Sequence, residues 1–289
     1  MDGRPLVSGA SGQLGRLTAE LLLAAGAEPI LVTRTPEAVA DLGCETRFGD
    51  YGQPGSLRDA YAGAERLLLI SASDLQERIE QHRAAIAAAG AAGVRHVVYT
   101  SGLNPESPNP AVISPSHHAT EQALATSGLA WTVLRDSLYS EYQVPEARQA
   151  IASGTLTHNR GDGQIAYVSR EDCAAVAAAV LTGSGHEGQV YDVTGPELFT
   201  ARELATLYGA LGGREVRDDS LDDGAFTELL AGALGGSDDE HARYGAELVA
   251  SFGRSIRQGY MASRSDVVQR LTGRPPRTLR SVLEAAALG

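Results

Sequence analysis

Short apolar runs alternate with helical patterns along the first half of the chain. The apolar runs are rich in Val, Ile and Leu and end at turn residues, which is typical of buried strands. The predicted strands are Pro5–Ser8, Pro29–Thr33, Glu45–Phe48, Arg66–Ser71, Arg95–Ser101 and Ala130–Arg135, and the predicted helices are Gly12–Ala25, Thr35–Asp41, Gly55–Ala62, Leu75–Ala92 and Ser116–Ser127. This alternation predicts an α/β fold with a doubly wound parallel sheet of the Rossmann type.

The pattern changes beyond about residue 150, where glycines separate shorter segments. Val190–Thr194 predicts a strand and Ala201–Leu211 a helix, while the acidic turns Asp218–Asp223 and Ser237–Glu240 introduce further helices. We therefore expect a Rossmann domain over residues 1–150. Residues 151–289 should form a smaller, mostly helical C-terminal lobe that is interleaved with the sheet rather than independent.

The segment Asn104–Pro115 contains four prolines and is too long to be a simple connection. It follows the carboxyl end of a predicted strand, where open α/β sheets bind their ligands. Its position favours a functional loop, and an ordered surface excursion is the alternative.

The segment Gly9–Gly15 joins the first predicted strand to the first helix with the spacing G-x-x-G-x-x-G. Gly9 permits the tight turn, Gly12 lets the backbone approach a pyrophosphate, and Gly15 lets helix and strand pack closely. Free N–H groups at the start of the helix can then bind the phosphates. The residues predicted to bind a dinucleotide here are Gly9, Ser11, Gly12, Gln13, Leu14 and Gly15.

Three further strand ends extend the predicted cofactor site. Arg34 follows the second strand, where its guanidinium suits the 2′-phosphate of NADP, whereas an acidic residue would favour NAD. A surface arginine is the alternative. Asp50 and Tyr51 follow the third strand, at the usual position of the adenine edge, unless they cap the next helix. Ser71, Ala72 and Ser73 follow the fourth strand and are placed to reach the ribose.

Composition narrows the class of protein. The formal net charge of −12 argues against a nucleic-acid partner, because a phosphate backbone attracts clustered basic groups. No signal peptide is visible and no apolar run is long enough to span a bilayer, so we expect a cytoplasmic protein with no membrane partner. Cys44 and Cys173 lack metal-ligand spacing, and we predict no metal.

The motifs recur in an order that resembles a known family. They are Gly9–Gly15, Thr33-Arg34, Gly49-Asp50-Tyr51, Leu67–Ser71, Tyr99-Thr100-Ser101, His117-x-x-Thr120-Glu121 and Leu134-Arg135-x-x-x-Tyr139. Together they resemble the NmrA-like branch of the atypical short-chain dehydrogenases, in particular type 2 NAD(P)H:quinone oxidoreductases and triphenylmethane reductases. The resemblance implies a flavin-free enzyme that transfers hydride from NADPH to a quinone or another conjugated or aromatic small molecule.

The same resemblance implies several site residues. It places Thr100 and Arg135 at the cofactor, and Ser101, Asp136 and Tyr139 beside the nicotinamide and the substrate. Asparagine is usual in these families where Asp136 stands. The aspartate would favour a substrate with a donor group, or would pair with a neighbouring arginine. Tyr139 and Tyr142 could stack on a flat acceptor or pack beneath the lobe.

The chain contains no lysine, so all 24 of its basic residues are arginine. Conventional short-chain dehydrogenases protonate the developing alkoxide with a Tyr-x-x-x-Lys pair, which is impossible here. His117 and Glu121 stand at the corresponding helix with i, i+4 spacing. His117 could donate a proton or a hydrogen bond to the acceptor with Glu121 orienting it, or the two could be a helix-surface pair that fixes the Pro-rich loop.

Two other functions are compatible with the sequence. The scarcity of acid–base residues would suit an NADP(H)-sensing regulator without turnover, as the resemblance to NmrA-like proteins permits. The aspartate at position 136 and the acidic lobe after Gly235 would suit a carbonyl or imine reductase of a biosynthetic pathway. A homodimer is possible.

Overall fold

The computed structural model describes residues 3–236 and 239–287, and its centre is a seven-stranded parallel sheet in the order β3-β2-β1-β4-β5-β6-β8. The strands of this sheet are β1 (Arg4–Ser8), β2 (Ile30–Thr33), β3 (Glu45–Phe48), β4 (Ala64–Leu69), β5 (His96–Gly102), β6 (Ala130–Asp136) and β8 (Gln189–Val193), and β7 (Thr155–His158) pairs with β9 (Arg217–Ser220) in a second, two-stranded sheet. The strand order reverses between β1 and β4, which is the switch point of a doubly wound fold. The predicted fold class is confirmed.

Helices cover both faces of the main sheet and build the lobe. They are α1 (Gln13–Ala24), α2 (Leu57–Tyr61), α3 (Arg78–Ala91), α4 (Ser114–Ala125), α5 (Gln143–Ser153), α6 (Arg170–Thr182), α7 (Ala201–Gly212), α8 (Asp223–Leu234), α9 (Glu240–Arg257), α10 (Val267–Thr272) and α11 (Leu279–Ala285). The helix predicted at Thr35–Asp41 is a 3-10 helix over Pro36–Leu42, and it ends at the left-handed Gly43. Residues Ser237 and Asp238 of the predicted turn lie outside the described residues.

The buried side chains form three clusters. One lies between the sheet and α2, α3 and α4, and a second lies on the opposite face between the sheet and α1, α6 and α10. The third fills the lobe between α5, α7, α9 and α11. Since α6 packs on α1 and β8 pairs with β6, the chain after residue 150 contributes to the sheet layer as well as to the lobe.

The Pro-rich segment Asn104–Pro115 is fastened to α9. The Ser255 hydroxyl donates to Asn109 Oδ1 at 2.8 Å, and the Val112 N–H donates to Ser251 Oγ at 3.1 Å. The loop thus connects the carboxyl end of β5 to the lobe.

None of the described helices is both long enough and apolar enough to cross a bilayer.

Asp172 links α6 to the chain that precedes α11. Its buried carboxylate accepts hydrogen bonds from Ser169 Oγ, from Arg274 Nη1 and from the Arg277 N–H, each at 2.8 Å. Because these donors would lose a charged acceptor, Asp172→Ala should lower the free energy of unfolding by about 2 to 3 kcal/mol. Urea unfolding measures this change.

A matched control removes an exposed carboxylate instead. Glu80 pairs with Arg83 within α3, and both side chains are more than half exposed. Glu80→Ala should change the free energy of unfolding by less than about 0.5 kcal/mol. Equal losses for the two variants would contradict the assignment of Asp172 as a structural link.

Candidate active site

The Gly9–Gly15 loop stands between β1 and α1 with its backbone open at the helix start. Gly9 has a φ of +67°, and a Cβ atom on Gly15 would overlap the Gly9 carbonyl oxygen and lie 2.9 Å from the Ala10 Cα. Gly12 is the N-cap residue, no side chain caps the helix, and its first turn has no acidic residue. The first N–H groups of α1 are therefore left for an anion, and the loop fits a pyrophosphate.

The end of β2 provides a group suited to the adenine side. Arg34 is exposed directly after the buried Thr33, and within the described residues it has no hydrogen-bonded or ion-paired carboxylate. The Thr33 hydroxyl lies 2.6 Å from Ser11 Oγ and accepts the Thr35 N–H at 3.2 Å, which fixes the backbone on both sides of Arg34. This geometry fits a 2′-phosphate.

Asp50 and Tyr51 are both engaged by the protein. Asp50 closes its own turn, accepting from the Gly52 N–H at 3.0 Å and from Gln53 Nε2 at 3.1 Å. The Tyr51 hydroxyl points into the sheet, where it contacts Ser8 Oγ and donates to the Ile70 carbonyl at 3.1 Å. Only the remaining surface of these residues is left for an adenine ring.

The segment after β4 is held by buried polar groups. The Ser71 N–H donates to Thr100 Oγ1 at 2.9 Å, and the Ala72 N–H donates to His82 Nε2 at 2.9 Å. Burial, followed by the nearby Arg78, lowers the pKa of His82 to about 3, so the ring stays neutral and can accept this bond. Ser71 and Ser73 face the cavity described next, whereas Ala72 is buried.

A cavity of about 580 Å³ opens at the carboxyl ends of β4, β5 and β6. Its floor is formed by the strand ends and its roof by apolar side chains of α8 and α9. Its polar end is formed by Gln143 and Glu146 of α5 and by Asn159 and Arg160, which follow β7. The candidate residues that line it are Ser71, Ser73, Thr100, Ser101, His117, Asp136, Tyr139 and Tyr142. The fold thus brings the predicted substrate-side residues together in one space.

His117 is a buried neutral histidine rather than a surface residue. Its Nδ1 lies 2.8 Å from the Tyr99 hydroxyl, and its Nε2 lies 3.4 Å from Arg78 Nη1. Burial and then the charge of Arg78 hold the pKa of His117 well below its ordinary value. A proton on both ring nitrogens is therefore strongly disfavoured at neutral pH, and this disfavours an imidazolium proton donor.

The alternative in which Glu121 orients His117 is wrong. Glu121 accepts the Ser101 hydroxyl at 2.7 Å and binds Arg135 through Nε at 3.1 Å and Nη2 at 2.7 Å. Arg135 also pairs with Glu106 of the Pro-rich loop. Glu121 and Arg135 therefore connect the ends of β5 and β6, and the Arg135 guanidinium is occupied by carboxylates.

Asp136 is buried at the end of β6 and faces the cavity. Its Oδ2 accepts the Tyr139 hydroxyl at 3.2 Å, and its Oδ1 has no hydrogen-bond partner among the described residues. Burial raises the pKa of Asp136 to about 7, which the Tyr139 and Cys173 hydrogen bonds only partly oppose. The alternative that it pairs with an arginine is wrong, since no described arginine forms an ion pair or a hydrogen bond with its carboxyl.

The Arg170 guanidinium lies over both the Tyr139 ring and the Tyr142 ring. The Arg170 Cζ lies 4.7 Å from the centroid of each ring, and the ring centroids are 5.8 Å apart. Tyr142 is 56% exposed, so it forms part of the cavity mouth. The pair is neither a free stacking surface nor wholly packed beneath the lobe.

Two cavity arginines were not identified from the sequence. Arg78 is buried, donating through Nε to the Ala72 carbonyl at 2.7 Å, and burial lowers its pKa. Arg160 pairs with Glu146, while its Nη1 is buried without a partner among the described residues. Neither position has a sequence signal, because tertiary packing alone brings each arginine to the cavity.

The described residues contain no group of three or more His, Cys, Asp or Glu placed to bind a metal.

Comparisons with known proteins agree with this geometry. A family model described as NAD(P)H-binding matches residues 9–184. The crystal structure of an NADPH-dependent quinone oxidoreductase from Escherichia coli, complexed with NADPH, is similar with a TM-score of 0.91 and 33% identity, covering 98% of this chain and 99% of that one. The triphenylmethane reductase of Citrobacter sp., complexed with NADP(H), has a TM-score of 0.88 and 34% identity at the same coverage.

A third relative acts on a different acceptor. The (4-alkanoyl-5-oxo-2,5-dihydrofuran-3-yl)methyl phosphate reductase of Streptomyces griseus is 37% identical over 282 residues, which are 95% of each chain. The similarity to the quinone oxidoreductase and to the triphenylmethane reductase confirms the predicted resemblance. The Streptomyces griseus relative shows that a reductase of another conjugated compound is similar to this chain as well.

Proposed function

Because this chain belongs to the NAD(P)H-binding family, we propose that it is an NADPH-dependent, flavin-free reductase that transfers hydride to a quinone or a similar conjugated acceptor. The observation that carries the proposal is the cavity at the carboxyl ends of β4, β5 and β6. Bound in the site that begins at the Gly9–Gly15 loop, NADPH would supply a hydride from its nicotinamide ring.

The two parts of the chain divide the binding in this proposal. Residues 1–150 bind the cofactor through the glycine loop and Arg34, and the lobe closes the substrate side. Phe226, Leu248 and Phe252 give the roof an apolar surface that suits a flat ring system and excludes water. Arg160 also lines the cavity, and its Nη1, which has no hydrogen-bond partner among the described residues, would become a donor for an acceptor oxygen that reached it.

A panel of acceptors tests the proposal. Purified protein should oxidise NADPH, followed at 340 nm, in the presence of benzoquinones, naphthoquinones or triphenylmethane dyes, with one acceptor molecule reduced per NADPH consumed. Absorption at 450 nm should show no bound flavin. Binding of NADPH without oxidation by any acceptor would overturn the enzyme and favour an NADP(H)-sensing protein.

A second candidate is a reductase of an anionic conjugated lactone. It is supported by Arg78, a buried cation that faces the cavity and is bonded to no carboxylate among the described residues. The Streptomyces griseus relative acts on a phosphorylated dihydrofuran. Adding such a phosphate ester and its dephosphorylated form to the acceptor panel separates the two candidates. A higher kcat/KM for the ester favours the lactone reductase, and a higher kcat/KM for neutral quinones favours the quinone reductase.

A further inference from the structure

We propose that Asp136 and Tyr139 form a proton relay that replaces the Tyr-Lys pair this chain cannot build. In this relay Tyr139 gives its hydroxyl proton to an oxygen of the acceptor and takes a proton from Asp136. The inference rests on the proposed function and deepens it by naming the group that supplies the proton.

The position of Asp136 supports the relay. Its register partners are Gly102 on β5 and Val193 on β8, which carry no charge. Its only hydrogen bond from a hydroxyl comes from Tyr139 at 3.2 Å, and Oδ1 is buried without a partner among the described residues. A buried carboxylate with one bare oxygen is costly. When Asp136 is protonated on Oδ2, the direction of the 3.2 Å hydrogen bond reverses: the carboxyl donates to the Tyr139 oxygen, and the Tyr139 hydroxyl is left to donate to an acceptor in the cavity.

Burial favours the protonated carboxyl, and the hydrogen bonds of Tyr139 and Cys173 oppose this only in part. From α6, Cys173 faces Asp136 and burial raises its thiol pKa well above the ordinary value. Burial, and then the charge of Asp136, does the same for the pKa of Tyr139. The other charged or titratable groups of the neighbourhood are Glu141, Tyr142, Arg170 and Asp172. Arg170 lies over the Tyr139 ring and forms no ion pair with Asp136.

Tyr139 is the partner that can touch the acceptor. It lines the cavity together with Asp136, and Arg170 fixes its ring at 4.7 Å. A tyrosine whose pKa is this high cannot remain ionised at neutral pH, so loss of its proton must be matched by gain of another. The protonated Asp136 meets that need across one hydrogen bond.

The step balances in atoms and electrons. The acceptor gains a hydride, with its two electrons, and its displaced π electrons move to the acceptor oxygen. That oxygen takes the Tyr139 proton while the Tyr139 oxygen takes the Asp136 proton. The acceptor is reduced and the dihydronicotinamide oxidised, and the carboxylate left on Asp136 recovers a proton from water.

The pH profile of Asp136→Asn tests the relay. In the wild-type protein kcat should fall as the pH rises through about 7, because the relay needs protonated Asp136. Asp136→Asn cannot transfer a proton, so its kcat at pH 6 should be at least roughly tenfold lower and nearly independent of pH between 6 and 8. Tyr139→Phe should lower kcat by a similar factor. An unchanged profile in Asp136→Asn would overturn the relay.

Infrared spectroscopy gives a readout that needs no turnover. The wild-type protein should show a protonated-carboxyl C=O band that disappears as the pH rises through about 7, with or without NADP⁺. The band should be missing from Asp136→Asn and retained in Tyr139→Phe. A spectrum identical for wild type and Asp136→Asn at pH 6 would also overturn the inference.

Thermal unfolding supplies the linked stability change. The pKa of Asp136 is raised in the folded protein, so the folded state keeps a proton that the unfolded chain has lost, and stability falls as the pH rises through about 7. The Tm of Asp136→Asn should therefore fall less than that of wild type between pH 5 and 8.

If wild type reduces no acceptor, the proposed function fails and the relay with it. Turnover with the same pH dependence in wild type and in Asp136→Asn defeats the relay alone.

Discussion

Gly15→Ala is expected to weaken NADPH binding by roughly a hundredfold. The added methyl group would overlap the Gly9 carbonyl oxygen and approach the Ala10 Cα to 2.9 Å, and both are backbone atoms that cannot turn away. The loop must therefore move away from α1, and its N–H groups lose their alignment on the phosphates. Losing two charge-assisted hydrogen bonds costs about 3 kcal/mol or more, which corresponds to this factor.

Isothermal titration calorimetry measures this affinity, and Gly90→Ala is the matched control. Gly90 also lies within a helix, α3, but a Cβ atom there would meet only Leu129 Cδ2, at 3.9 Å. The control should bind NADPH like the wild type. Circular dichroism should show both variants folded. If folded Gly15→Ala binds NADPH with nearly wild-type affinity, the glycine loop does not bind the cofactor.

Arg34→Asp is expected to reverse the preference between the two cofactors. Arg34 is exposed and bonded to no carboxylate among the described residues, so its fork is available to a 2′-phosphate. The substitution removes this partner and places a negative charge beside the phosphate, which should weaken NADPH binding by about a hundredfold. NADH carries a ribose 2′-hydroxyl that the carboxylate can accept, so its affinity should rise or stay unchanged.

Competitive titrations with NADPH and NADH measure the reversal. Arg202→Asp in α7 makes the same change in net charge on an exposed residue far along the chain, and it should alter neither affinity. If Arg34→Asp weakens the binding of NADPH and NADH equally, Arg34 supports the loop and does not bind the 2′-phosphate.

The sheet layer could be predicted because its strands are apolar and its connections short. The predicted strand Arg95–Ser101 differs from β5 by one residue at each end, and the β8 strand was also found. Helix α3 begins at Arg78 instead of Leu75 because the Asp74 carboxylate accepts the N–H groups of Gln76 and Glu77 and holds a turn there.

The lobe was harder to predict since its regular structure depends on pairing. Strand β9 has the sequence Arg-Asp-Asp-Ser and every residue is exposed, so it has no apolar alternation. It is a strand only because β7 pairs with it in parallel. Neither of these strands was predicted.

The site shows the same contrast between local and tertiary information. The Gly9–Gly15 loop is a local motif, and its geometry follows from the spacing of three glycines. The i, i+4 spacing of His117 and Glu121 suggested a pair, but α4 is turned so that His117 enters the core while Glu121 reaches Ser101 and Arg135. Sequence spacing predicts which residues share a helix face, but the residues that pack against that face depend on the tertiary structure.

The place of β8 in the sheet has a consequence for synthesis of the chain. A ribosome delivers the whole glycine loop early, yet α6, which covers the α1 face of the sheet, and β8, which covers the edge of β6, come only with residues 170–193. Until then the nascent chain carries a bare apolar face and an open strand edge, both of which invite aggregation. A chain stopped near residue 150 would keep the phosphate loop but not a protected sheet.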